Sequence, residues 1–306
     1  MKRYYLCFVL MTSCFILCLG QAASATSYHF STIDYSGASS TYAYGINDAG
    51  QITGIYEDGT GDHGFILSGG LFSSFDYPGL TIASDIDDNG QVVGSYVDEN
   101  GLHGYLLYNG NFTSFDYNYP WSYSTQLRGI NDAGEIVGDY LDAYGNNGLL
   151  ISGSNSSSIE VPGATWTQAF GINDLDQVVG KYGDGSGTHG FLLSGGIFSS
   201  IDYSGANGLE AADINDSGQI AGSYMDGTGA WHGFIQSDGI MSVIDLPGAS
   251  ELYISGINDA GQAVGMYSDG SGYHGFLATP VPEPASLLLI GSGLAGLLCI
   301  RRKKQS

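Results

Sequence analysis

The chain has 306 residues, of which 31 are Asp or Glu and only 8 are Lys or Arg, giving a formal net charge of −23. All but one of the acidic residues lie between positions 27 and 282, where only Arg128 and Lys181 oppose them; this middle therefore lacks the basic surface that nucleic acid or anionic lipid requires. The four cysteines, Cys7, Cys14, Cys18 and Cys299, all fall in apolar terminal segments, so the middle must hold together by packing rather than by disulfides.

Residues 1–25 read as an export signal. "MKR" supplies a basic start, "YYLCFVLMTSCFILCLG" an apolar run, and "ASA" a small-residue cleavage site ending at Ala25.

Residues 26–279 form one domain in which a single motif is written six times. Copies such as "YGINDAGQITGIYEDGTGDHGFIL" and "SGINDAGQAVGMYSDGSGYHGFLA" align on Asn47, Asp87, Asn131, Asn173, Asn215 and Asn258, at intervals of 40 to 44 residues. Each copy reads as four short strands. The first ends in "GIN" and turns at "NDAG", the second is "QITGIY", the third follows a "DGTG" turn as "HGFIL", and the fourth is "FSSFDY". Ile52, Gly54 and Tyr56 share one face of the second strand and Thr53 and Ile55 the other, so the unit is apolar on both sides and must be sandwiched between its copies. The fold expected is all-β: a six-bladed β-propeller of four-stranded antiparallel repeats. "FSTIDY" at 30–35 supplies a fourth-type strand before any first strand, and the last copy lacks one, so the ring is expected to close by borrowing this N-terminal strand.

The repeated residues have structural readings. Gly54, Gly94, Gly138, Gly180, Gly222 and Gly265 each precede a tyrosine by two, which suggests seams where a blade packs tyrosine against its neighbour's bare backbone. His63, His103, His189, His232 and His274 each precede Gly and are expected to bond backbone at a strand start; Asn147 replaces them in the third copy. The turn aspartates, Asp48 and Asp58 with their counterparts, read as turn makers. Calcium needs six to eight oxygens at one point, and Asp58 with Asp62, or Asp98 with Glu99, offer only weak candidate sites. No other metal and no cofactor is expected.

Departures from the repeat mark candidate chemistry. Trp121 and Tyr123 in the third crossing, and Trp166 and Trp231 in later copies, are candidate glycan contacts, with space-filling as the plainer reading. Thirty-odd carboxylates could pair for glycoside hydrolysis, but near-identical copies argue against a catalytic centre, and no catalytic residue is assigned.

In the tail, "GSGLAG" at Gly291–Gly296 matches the dinucleotide-binding pattern, yet no βαβ unit follows it. Instead "VPEP" precedes an uncharged run, 285–300, read as a short transmembrane helix of about 24 Å, and a basic cluster at 301–304 that stays cytoplasmic. Pro282-Glu283-Pro284, apolar helix and basic end resemble, in that order, the PEP-CTERM sorting signal of exported Gram-negative proteins, which would span 280–306. The resemblance implies that Pro282, Glu283 and Pro284 are recognised by an exosortase, and that the protein is associated with exopolysaccharide and biofilm. The body is similar to the extracellular repeats named for a His-Ala-Phe motif, here His-Gly-Phe or His-Gly-Tyr; that family has no catalytic residues to transfer.

The expected function is therefore an exported, non-catalytic scaffold or binding protein, an inner-membrane-anchored precursor whose mature body lies in the periplasm, at the cell surface or in the extracellular matrix. Its partners would be the secretion machinery, an exosortase and exopolysaccharide, with the membrane reached through the C-terminal helix of the precursor and no nucleic acid. The alternative is a secreted polysaccharide-acting enzyme, glycoside hydrolase or lyase, or a calcium-assisted lectin on the same scaffold.

Overall fold

The computed structural model describes residues 27–77, 79–117 and 124–281. The signal peptide, its Ala25 site, Trp121, Tyr123, Pro282, Glu283, Pro284 and the expected helix at 285–300 lie outside the described residues. Among the described residues all regular structure is β-strand, and no helix is long and apolar enough to cross a membrane.

The first blade contains β2 (Ser40–Ile46), β3 (Ile52–Asp58), β4 (Gly61–Ser68) and β5 (Leu71–Phe75), paired antiparallel in chain order. Five further groups follow the pattern, with innermost strands β6 (Leu80–Ile86), β10 (Ser124–Ile130), β14 (Trp166–Ile172), β18 (Gly208–Ile214) and β22 (Glu251–Ile257). A single parallel bridge, Ser124 to Leu102, joins the second and third groups into one continuous sheet.

The arrangement is propeller-like, and its two ends meet. On the outside, β1 (Ser27–Ile33) pairs with β24 (Tyr273–Val281) from Ser27 opposite Val281 to Ile33 opposite Gly275, supplying the last blade with the strand its own repeat lacks. On the inside, the Asn258 amide donates to the carbonyl of Asn47, and the Asp259 N–H donates to the Asp48 carboxylate.

The core lies between blades, as two-faced apolar strands require. Ala221, Ile235 and Ile244 of the fifth blade pack with Leu252, Ile254 and Phe276 of the sixth, and five similar clusters fill the other seams. At the centre of each blade a large side chain is fully buried, Phe65, Tyr105, Leu149, Phe191, Phe234 or Phe276, each contributing about 1.5–3 kcal/mol.

The strand-two glycines answer a different need from the seam the sequence suggests. A Cβ on Gly54 would lie 2.0 Å from the carbonyl oxygen of Tyr42, and one on Gly180 2.1 Å from that of Gln168; Gly94, Gly138, Gly222 and Gly265 meet the corresponding carbonyl of their own blade. The crowding is within the blade. It arises because every innermost strand carries a register shift, between Ala43 and Gly45 in the first blade and at the equivalent place in the other five. Such a bulge bends the strand and turns a carbonyl toward its partner. The tyrosine two residues later stacks instead on its own blade's histidine, Tyr56 on His63 at 5.0 Å between centroids.

Candidate functional site

The two faces of the ring differ in chemistry, and each is built by a different part of the repeat. One face carries the turns between first and second strands. There the Asn47 Oδ1 accepts the Gln51 N–H, capping its own turn, while Nδ2 donates to the Asp87 carbonyl of the next blade. Asn131, Asn173, Asn215 and Asn258 repeat the link. Asp87 has no amide to give, and Asn89, two residues on, donates to the Asp132 carbonyl in its stead. Outside this circle runs a second one: each aspartate N–H from Asp48 to Asp259 donates to the carboxylate of the following blade's aspartate. The first-turn aspartates are thus interblade links, a role beyond the turn-making expected of them.

Just beneath, the innermost strands approach most closely. Gly45, Gly129, Gly171 and Gly256 occupy the pinch in four blades, and Asp85 and Asp213 in the other two. Each of these carboxylates accepts two backbone N–H groups, one from its own blade and one from the next: Ile86 and Ile130 for Asp85, Ile214 and Ile257 for Asp213. Burial pushes both upward, Asp213 to about 7.

Around the periphery of five blades stands a histidine held by two aspartates. In the first, His63 Nδ1 is 2.8 Å from Asp76 and Nε2 is 3.3 Å from Asp58, whose Oδ1 also accepts the Thr60 N–H. His103, His189, His232 and His274 repeat this with Asp116, Asp202, Asp245 and Asp34. The sequence expectation of a backbone-bonded histidine is therefore corrected: the fourth-strand aspartate, thirteen residues away in four of these blades, is brought alongside by strand pairing. The hydrogen bonds to those aspartates raise His63, His103, His189 and His232 above the ordinary histidine value. Asp34 belongs to the borrowed N-terminal segment, so the last latch spans the chain's two ends.

In Asp58 and Asp98 the same Oδ1 caps the residue's own turn and faces the histidine. Among the described residues no group of three or more His, Cys, Asp or Glu is arranged to hold a metal ion.

The opposite face carries the hairpins between second and third strands, and here the blades diverge. Trp166 and Trp231 line one groove of about 710 Å³ across the third, fourth and fifth blades, with Tyr144, Gln168, Lys181 and Glu210. Trp166 lies against the bare backbone of Gly183, its strand partner, and Trp231 packs on Tyr253 at 5.1 Å. Tyr144 is 91% exposed. Two of the four aromatics singled out in the sequence are thus brought together, each braced from behind.

Sequence reasoning missed the cavity beside this groove. The bulge residues Tyr44, Ser84, Arg128, Phe170, Ala212 and Ser255 all line one axial cavity of about 310 Å³. The two cations of the middle meet in it. The guanidinium of Arg128 and the ammonium of Lys181 lie 4.8 and 5.1 Å from the centroid of the Phe170 ring. Arg128 donates to Asp139 and Gln126, and Lys181 donates to Glu210. The signal was available: the residue immediately before "GIN", "DID" or "DIN" changes in nearly every copy while its neighbours hardly change.

Comparison with known proteins finds likenesses in parts. Residues 280–303 match the PEP-CTERM protein-sorting motif, which implies recognition by an exosortase and hence a secreted, exosortase-processed protein of Gram-negative bacteria. No curated protein matches the chain. Among solved structures it is similar to a mutant Aleuria aurantia lectin in complex with Fucα1-6GlcNAc, at 12% identity over 81% of this chain and 97% of that one, with a TM-score of 0.48. It is also similar to a mutant of AofleA from Arthrobotrys oligospora, at 13% over 84% and 91%, TM-score 0.48. A Trypanosoma rangeli sialidase in complex with 2,3-difluorosialic acid is similar at 8% over 89% of this chain and 58% of that one, TM-score 0.49. The ring described above rests on this chain's own hydrogen bonds and not on these likenesses.

Proposed function

We propose that the protein is an exosortase-sorted, non-catalytic binding module that captures extracellular saccharide on its hairpin face and so serves in an exopolysaccharide matrix. The observation that carries this reading is the groove across the third to fifth blades, where two braced tryptophans and an exposed tyrosine stand among amide and charged groups. Flat aromatic surface stacks on the apolar faces of sugar rings, and the polar groups beside it take up hydroxyls.

The position of the sorting motif supports the same reading. The last described residues, Pro280 and Val281, leave β24 beside the Asn258–Gly261 turn, where a Cβ on Gly261 would lie 3.4 Å from the Pro280 ring. They leave, therefore, on the symmetric face. From Val281 to residue 285 the chain can reach at most about 14 Å, so an anchored precursor would hold that face toward the membrane and the groove away from it.

Retention on immobilised exopolysaccharide from the host tests the proposal. Retention that survives chelation of calcium and releases no reducing ends supports it; release of reducing ends would favour the hydrolase reading, and loss on chelation the calcium-assisted lectin.

A further inference from the structure

We infer that the axial cavity is a second subsite, which receives the terminal, uncharged sugar residue of a saccharide chain whose remainder lies in the groove. The inference rests on the saccharide reading above and adds to it a place for the chain end and a limit on its charge.

Three observations carry it. The cavity and the groove adjoin, with the Lys181–Glu210 ion pair as their common wall. The cavity shares no lining residue with the space under the Asn and Asp turns, because the pinch at Gly45, Asp85 and their counterparts separates them. A strand of polymer entering from the groove therefore meets a closed end, which suits a terminus and excludes a chain passing through.

The lining has two halves. Gln126, Arg128, Lys181 and Glu210, from the third to fifth blades, offer amide and charged hydrogen-bonding groups around the Phe170 ring; Tyr44, Ile82 and Met266, from the first, second and sixth, offer mainly apolar surface, to which Ser84 and Ser255 add hydroxyls. A pyranose ring has the matching division, hydroxyls at its edge and C–H groups on its faces.

The charges of the polar half cancel in pairs. Arg128 is matched by Asp139, whose side chain is only 8% exposed, and Lys181 by Glu210. Paired ions still present strong donors and acceptors to hydroxyls, but they leave no free positive charge for a carboxylate. A uronate or sialate would also enter against the field of a strongly acidic body. The volume, about 310 Å³, lies at the small end of ligand pockets.

The test uses the full chain, purified in a detergent without a sugar headgroup, and saturation-transfer NMR with glucose, galactose, mannose, N-acetylglucosamine and glucuronate. Expected is millimolar binding of at least one neutral sugar, at least tenfold weaker binding of glucuronate than of glucose, and at least tenfold loss of the neutral sugar in Ala212→Phe. That variant fills the cavity without unpairing a charge. Ser84→Leu fills it from the opposite wall and should act alike, so a folding failure of either leaves the other to decide. If no neutral sugar binds, or if both filled variants bind it as the wild type does, the subsite is overturned. Tighter glucuronate overturns its neutral character. Polysaccharide retention, measured in parallel, separates these results from failure of the groove: retention without hexose binding sinks the cavity alone.

Discussion

The two faces of the ring are made by the same six repeats, yet one is chemically uniform and the other varies from blade to blade. On the turn face, Asn47 and Asp48 recur with one exchange in twelve positions, and that exchange, Asp87, is compensated by Asn89. On the hairpin face the bulge position carries Tyr, Ser, Arg, Phe, Ala and Ser. Uniformity marks the work every blade must share, which is handing a hydrogen bond to its neighbour. Diversity marks work done once, at a place where the six side chains converge.

The largest effect should come from removing the basis of both faces together. In Gly180→Val the new side chain would collide with the Gln168 carbonyl at the bulge, and a loss of about 3 kcal/mol, the upper end for overpacking, is expected, near 10 °C in thermal midpoint. A change of under about 2 °C would mean that the bulge does not fix the innermost strand.

Asn173→Ala addresses the uniform face alone. It deletes donors to Gln177 and the Asn215 carbonyl and the acceptor of the Gln177 N–H, leaving buried groups unpaired at about 2–3 kcal/mol. Thermal unfolding should shift down while saccharide affinity of the folded protein stays unchanged. Replacing Trp166 and Trp231 together by Ala should do the opposite. Polysaccharide retention should weaken at least tenfold, about 1.4 kcal/mol, with the melt little altered.

A pH series separates the faces from the rim. Four histidines are raised by their aspartates, so the stability they contribute is full below about 6.5 and is lost as pH rises through their folded values. Their second partners, Asp58, Asp98, Asp184 and Asp226, are lowered by turn N–H and hydroxyl donors, Asp226 to about 2, and contribute above about 3.9, losing that contribution as pH falls. Asp213, raised to about 7 by burial, binds more protons folded than unfolded between about 4 and 7, so it too favours the folded state less as pH rises. The thermal midpoint should therefore peak between about pH 4 and 6.5 and decline through neutrality; a midpoint that rises from pH 6 to 8 would contradict these assignments. The smallest effect is expected from His189→Asn, which copies the third blade's Asn147: a slight fall at pH 5.5 that vanishes at pH 8.5, because such half-exposed pairs contribute little.

Much of this was legible in the sequence. Six copies, four strands each, and the spare "FSTIDY" follow from turn chemistry and a two-residue period, and strand pairing in the structure agrees. The bulges were not legible, since the glycine beside them, Gly45 or Gly129, belongs to "GIN" and reads as the strand's entry into its turn, and without the bulge the side chains of Tyr44 and Arg128 cannot be placed on the axis. The histidine partners were hidden for a related reason: His63 and Asp76 meet only once the register of β4 and β5 is known. Trp166 and Trp231 are odd residues in separate copies, and only the ring makes them neighbours.

Hydrogen exchange of the full chain with and without exopolysaccharide tests the division of labour most directly. The account predicts added protection in 141–146, 166–170, 181–183 and 208–212, with the turns at 47–50, 87–90, 131–134, 173–176, 215–218 and 258–261 already protected and unchanged. Protection gained at those turns, with none across the third to fifth blades on the hairpin face, would contradict it.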